Sequence, residues 1–287
     1  MAPDGNGEPG AAAGSSTSAG NTAVAGGPAS TGGGPGDSGG AGAVTAGSGS
    51  LAGASGSVGA PAGGSSGTAG STGAAGAPAA MIHIAGDSTA AIFPTTDPRV
   101  GWGAVFAERF NGGVKVDDRA LSGRSSKSFI DEGAWAGLLA TVKQGDYVFI
   151  EFGHNDEKSD DPLRYTDPAT TFRDNLRRFV ADTRTAGGQP LLLTPISRNK
   201  FSGTTITASH GLYPDAVKAV ATETSTPLID MTARTKVWLE KLGPAATAPF
   251  FAPDDQTHTS ASGAQEVSKL VAAGLIELDH PLATLLK

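Results

Sequence analysis

The chain has 287 residues, 38% of them apolar and 17% charged, with a formal net charge of −7 and no cysteine. Absence of Cys excludes disulfides, thiol catalysis and cysteine-based zinc sites. The acidic balance, with no basic stripe or polybasic run, points away from nucleic acid and from an electrostatic membrane patch.

Residues 1–80 are almost entirely Gly, Ala, Ser, Thr and Pro, with no Lys, Arg, Phe, Tyr or Trp. Such a stretch cannot bury enough apolar surface to offset the entropy of ordering it, so it is expected to be a disordered linker or stalk. As a flexible coil it would span on the order of 50 Å. Its start has neither the basic nor the apolar region of a signal peptide. The chain shows no apolar run of bilayer-spanning length. Residues 81–287 carry every aromatic and all 21 basic residues, enough for one domain with a substantial core.

In chain order, residues 81–85 (MIHIA) predict a strand, 102–110 a helix, 114–118 a strand and 129–142 a helix. The run 146–152 (DYVFIEF) predicts a buried strand. Residues 168–185 form a long amphipathic helix closed by Gly187–Gly188. A strand at 190–195, a helix at 213–224, a strand at 227–230 and a helix at 232–242 follow. A loop over 243–257 leads into a last helix at 260–276. Alternating strands and helices imply an α/β fold: a three-layer αβα, flavodoxin-like sandwich with a parallel sheet of about five strands.

In such sheets the site lies beyond the carboxyl ends of the strands. Gly86-Asp87-Ser88-Thr89 follows the first strand, Ala120 to Ser125 the second, and Gly153-His154-Asn155-Asp156 the third. Asp255-Gln256-Thr257-His258 precedes the last helix. All four clusters should meet at one sheet edge. A serine hydroxyl needs a base to become a nucleophile, and a neutral imidazole serves near neutral pH. Ser88 is the candidate nucleophile and His258 the base. Asp255, three residues earlier, can orient the imidazole. The backbone N–H groups of Ser88 and Gly123 and the Asn155 amide can form an oxyanion hole, where each donor is worth ~3 kcal/mol. A close backbone approach is the expected reason for glycine at 123.

Ser88, Gly123, Asn155 and His258, in this order, resemble the SGNH (GDSL-like) hydrolases. GDST (86–89), GRSSKSF (123–129), FGHND (152–156) and DQTHTS (255–260) look like the rhamnogalacturonan acetylesterases among them, as do TPISRNKF (194–201) and YPDAVKAVA (213–221). The resemblance covers essentially all of 81–287. It implies removal of acetyl groups from an acetylated polysaccharide, without cofactor or metal, in an extracellular or cell-surface setting. The family spacing selects Asp255 over Asp254 as the acid. At 126–127 this chain has Ser-Lys where the family stretch more often reads Ala-Arg, and the Gly/Ala/Ser tail lies outside the family pattern.

Other signals have plainer readings. Gly36-Asp37-Ser38 repeats the GDS motif in the tail with no strand before it, and the G-x-G-x-x-G at 5–10 lacks the strand and helix that give it meaning. His83 reads as a packing residue, His210 and His280 as solvated. His154 reads as shaping its loop, with substrate contact as the alternative. Arg124, Lys127, Arg198 and Lys200 could bind substrate carboxylates or be ordinary solvated charges. The folded part has no G-x-S-x-G of an α/β-hydrolase and no clustered metal-ligand pattern. A monomer is expected. An acetylxylan esterase, lysophospholipase or thioesterase of the same superfamily is the alternative activity. A noncatalytic polysaccharide-binding surface protein is the reading from another class.

Overall fold

A computed structural model describes residues 79–287; the expected stalk, apart from its last two residues, lies outside them. Ala80 already belongs to the first strand, β1 (Ala80–Gly86). β2 (Val114–Asp118), β3 (Tyr147–Glu151), β4 (Gln189–Leu193) and β7 (Leu228–Ile229) complete a five-stranded sheet in the order β2-β1-β3-β4-β7. Every pairing is parallel, with Gly86 opposite Glu151 and Ile84 opposite Asp118. The carboxyl ends are thereby level, and the loops that follow them share one edge.

Strand residues alternate between two cores, as a pleat buried on both faces requires. Ile82, Ile84, Phe149, Leu191 and Leu193 face one side. There they meet Trp102 and Phe106 of α1 (Trp102–Phe106) and Val267, Val271 and Leu275 of α7 (Ala261–Glu277). Ala85, Val148, Ile150 and Leu192 face the other side. That side is covered by α2 (Ser126–Asp131), α3 (Ala134–Leu139), α4 (Thr171–Thr185) and α5 (Tyr213–Thr224). The architecture is the expected αβα sandwich. Among the described residues no helix is long and apolar enough to cross a membrane.

Three local departures have physical causes. The helix expected over 129–142 is two helices, because Gly133 adopts φ 81° and breaks the ladder. Its first half starts early, at a capping box: Ser125 Oγ accepts from the Ser128 N–H and Ser128 Oγ accepts from the Ser125 N–H. A hairpin of β5 (Phe201–Ser202) and β6 (Thr205–Ile206) turns at Gly203, φ 62°. Two residues per strand are too few to register a period of two. α6 (Met231–Leu242) begins one residue early because the Asp230 carboxylate caps it by accepting from the Ala233 N–H.

Candidate active site

The turn after β1 is built by Asp87. Its Oδ1 accepts from the Thr89 N–H at 2.9 Å and from Thr89 Oγ1 at 2.8 Å. The Ala90 and Ala91 N–H groups close on the Asp87 carbonyl. This leaves Ser88 in a tight turn at the sheet edge, 6% exposed. Gly101 packs so closely that a Cβ there would lie 2.2 Å from the Ala90 backbone.

His258 arrives from the other side of the same edge. Asp255 Oδ1 accepts from the N–H groups of Thr257 (2.6 Å) and His258 (2.9 Å), so the carboxylate winds its own loop. Its Oδ2 lies 2.6 Å from His258 Nδ1, and His258 Nε2 lies 2.8 Å from Ser88 Oγ. The loop is pinned by an isolated bridge between Phe251 and Thr259 and by Thr259 Oγ1 donating to the Val100 carbonyl at 2.6 Å. Partial burial would push the Asp255 carboxyl up, but the hydrogen bonds from His258 and Thr257 hold it below the usual carboxylate range. The acid is therefore ionised and the Nδ1 tautomer is set. Asp254 is exposed at φ 58° and stands outside this relay.

Gly123 and Asn155 come from the loops after β2 and β3. Gly123 has φ 79°, and a Cβ there would meet nothing within 4 Å. The left-handed backbone by itself demands glycine. Asn155 is 3% exposed. Its Nδ2 donates to the Arg124 carbonyl at 3.0 Å, and its Oδ1 accepts from Lys158 Nζ at 2.8 Å.

Beneath this surface lie buried ionisable groups. Glu151 is pushed up to about 8 by burial and then by the charge of Asp87, against a 2.5 Å hydrogen bond from Trp102 Nε1. Asp156 is pushed up to about 7 by burial although Ser126 and Thr166 donate to it. It ties the third loop to the start of α2.

The remaining sequence candidates separate. His154 is buried, and burial followed by the neighbouring His210 pushes it down to about 4. Its Nδ1 stands 3.5 Å from Asp87 Oδ2 and its ring lies edge-on to His210 at 4.4 Å, so it supports the Ser88 turn from within and does not face solvent. His210, expected to be solvated, is also buried: Nε2 lies 2.8 Å from the Ile196 carbonyl and Nδ1 3.0 Å from Glu157 Oε2. His280 is likewise buried, against Tyr147. Arg198 is turned inward onto Glu157 (2.6 Å) and Thr257 Oγ1. Arg124 pairs with Glu132 at 2.8 Å, and Lys127 Nζ donates to the Pro162 carbonyl at 3.1 Å; both remain partly exposed.

Two neighbours escaped the sequence reading. Phe93 presents its ring edge-on to His258 at 6.4 Å and carries the Arg99 guanidinium over its face at 4.4 Å. Lys158, described above, is the other. Phe93 gives no sequence signal. The spacing of Lys158, three residues after Asn155, could have suggested a contact. Among the described residues, no three His, Asp or Glu side chains gather as a metal site requires. A cleft of about 430 Å³ lined by Asn199 and Phe251 to Gln256 lies beside the acid loop. A second, about 550 Å³, is lined by Glu157, Lys158, Arg198, Lys200 and Tyr213 among others.

The sequence at 84–266 matches the GDSL-like lipase/acylhydrolase family. The chain is 40% identical over 216 residues to the rhamnogalacturonan acetylesterase of Bacillus subtilis, covering 70% of this chain and 91% of that one. Its fold is similar to that of the Bacillus subtilis protein YxiM, with a TM-score of 0.65 at 22% identity over 71% of this chain and 58% of that chain. It is also similar to an acetylxylan esterase from Geobacillus stearothermophilus, with a TM-score of 0.53 at 19% identity over 69% of this chain and 95% of the other.

Proposed function

The chain belongs to the GDSL-like lipase/acylhydrolase family, and on that footing we propose that it is a serine O-acetylesterase acting on rhamnogalacturonan. The observation that carries this reading is the unbroken relay from Asp255 Oδ2 through His258 to Ser88 Oγ, at 2.6 and 2.8 Å. Ser88 Oγ attacks the acetyl carbonyl while His258 Nε2 takes its proton. The tetrahedral oxyanion is held by the Ser88 and Gly123 N–H groups and by the Asn155 amide. As the ester C–O bond breaks, His258 passes its proton to the departing sugar oxygen, which leaves as a hydroxyl. Water, activated by the same imidazole, releases acetate from the acetyl-enzyme. Each step uses groups of this one chain and calls on no cofactor.

The polysaccharide is inferred from the 40% identity to a rhamnogalacturonan acetylesterase. A polysaccharide too large to enter a cell supports a setting outside the cell or on its surface. Lys200, which lines the cleft beside Glu157 and Arg198, and Arg124 and Lys127, partly exposed beside Glu132 and Asp131, are the cations proposed to meet uronate carboxylates.

Acetate release measured across acetylated rhamnogalacturonan, homogalacturonan and xylan tests the substrate. Rhamnogalacturonan should lead; equal release from xylan, or a preference for long acyl chains, would overturn it. Ser88→Ala should leave the fold intact and cut turnover of p-nitrophenyl acetate by roughly 10⁴-fold or more. Near-normal turnover by that variant would remove the mechanism.

A further inference from the structure

An asparagine that stabilises an oxyanion has a problem of orientation. Its amide is nearly symmetric in shape, and a half-turn about the last side-chain bond would put Oδ1 where a donor is needed. An acceptor in that position would repel the developing charge. Something must fix which end faces out.

We propose that Lys158 is a positioning residue for the acyl transfer, holding the Asn155 amide in its donating orientation and polarising it toward the oxyanion; this rests on the oxyanion role given to Asn155 above. The two partners of the amide are unambiguous. An ammonium can only donate, and Lys158 Nζ meets Oδ1 at 2.8 Å. A backbone carbonyl can only accept, and that of Arg124 meets Nδ2 at 3.0 Å. Reversal of the amide would place donor against donor and acceptor against acceptor. One Nδ2 hydrogen is committed to Arg124, and the other is left for substrate.

The main chain brings Lys158 to this place. Its N–H closes on the Asn155 carbonyl at 3.3 Å, one turn on, while Glu157 closes on Gly153. The ammonium makes no ion pair among the described residues. Two nearby acids are engaged elsewhere, Glu157 with Arg198 and His210 and Asp161 with Arg164, while the buried Asp87 attracts the ammonium only through space. Burial, then Arg164 and Arg198, pushes the Lys158 ammonium below the usual lysine range. No carboxylate touches the ammonium, and the amide oxygen is the acceptor it meets among the described residues. A cation on the C=O end of an amide makes its N–H a stronger donor, an effect greatest where water is scarce.

The test uses the full chain and four variants: Lys158→Met, Lys158→Arg, Asn155→Ala and the double variant Asn155→Ala/Lys158→Met. Thermal melts confirm that each is folded, and Lys158→Arg keeps the test open should the Met variant fail to fold. With p-nitrophenyl acetate, Lys158→Met should lower kcat by about 10-fold or more with KM changed by less than about 2-fold. Lys158→Arg, retaining donor and charge, should recover most of the loss. In the Asn155→Ala background, Lys158→Met should add less than about 2-fold, because the group it acts through is gone. Unchanged kcat in Lys158→Met, a loss carried by KM, a full additional loss in the double variant, or an Arg variant as impaired as Met would each overturn the proposal. If Asn155→Ala is itself unimpaired, the oxyanion reading fails. If Asn155→Ala is impaired and Lys158→Met is not, only the role of Lys158 fails.

Discussion

Arg198 and Glu157 are joined at 2.6 Å between the loop that follows β4 and the loop that follows β3. The other arm of the guanidinium donates to Thr257 Oγ1, and Thr257 sits between the acid and the base of the relay. Glu157 continues the chain to His210. One planar fork therefore stitches the Asp255–His258 loop to the loop bearing Asn155. Arg198→Ala should let the acid loop drift and lower kcat by about 10- to 100-fold with little change in KM. Lys at this position should not restore it, since a single ammonium cannot span both partners. A KM effect alone would return Arg198 to the substrate-binding role that its charge first suggests.

The two neighbouring aspartates give a sharper contrast. Asp255 accepts three hydrogen bonds, from the N–H groups of Thr257 and His258 and from His258 Nδ1. Asp255→Asn would keep the shape and lose both the tautomer control and the charge, and kcat should fall by about 10⁴-fold. Asp254 is exposed in a left-handed conformation that asparagine tolerates. Asp254→Asn should stay within about 2-fold of the parent in steady-state kinetics. A large loss at Asp254 with none at Asp255 would reassign the acid.

The layers and the sheet edge were legible because they depend on patterns that extend over many residues. DYVFIEF and the apolar run at 190–195 read as buried strands, and sheet geometry alone brings the polar clusters after the first three strands to one edge. What was hidden depends on tertiary neighbours. The fates of His210 and Arg198 were set by Glu157, far from either in sequence, which supplies a partner that makes burial tolerable. The Gly133 break looks in sequence like one more residue of an apolar helical pattern. Gly123 stood out in the sequence by its place in the loop after β2, and its positive φ is a reason for glycine that only the folded backbone reveals.

Two helical glycines should respond in opposite directions to alanine. In α7 a Cβ on Gly263 would fall 1.9 Å from the Phe250 carbonyl oxygen, so that helix and the segment leading to His258 touch through backbone. Gly263→Ala should destabilise by about 2 kcal/mol or more and loosen the His258 loop. A Cβ on Gly137 in α3 meets nothing within 4 Å. Gly137→Ala should stabilise by about 0.5–1 kcal/mol through helix propensity and a stiffer unfolded chain. Urea unfolding of the two variants checks both signs.

Asp118, at the end of β2, should give the domain a pH-dependent weakness. Burial, and after it the charge of Asp117, pushes its carboxyl up to about 7 against a hydrogen bond from the Ala120 N–H. Its Oδ2 is buried without a donor. In the unfolded chain the group ionises near its ordinary value of 3.8. Between there and about 7 the unfolded state has released a proton that the folded state still holds. Stability from this group is thus complete below pH 3.8, falls as pH rises through that window, and levels off above about 7. Asp118→Asn keeps an oxygen for the Ala120 N–H and removes the charge. At pH 8 the variant should be more stable than the parent by about 1–2 kcal/mol, the half-buried residue drawing partial hydration. Near pH 4 the two should converge. Urea melts across this range should show the difference growing with pH; a constant difference, or one that grows on acidification, would mean that Asp118 is ionised in the folded state throughout.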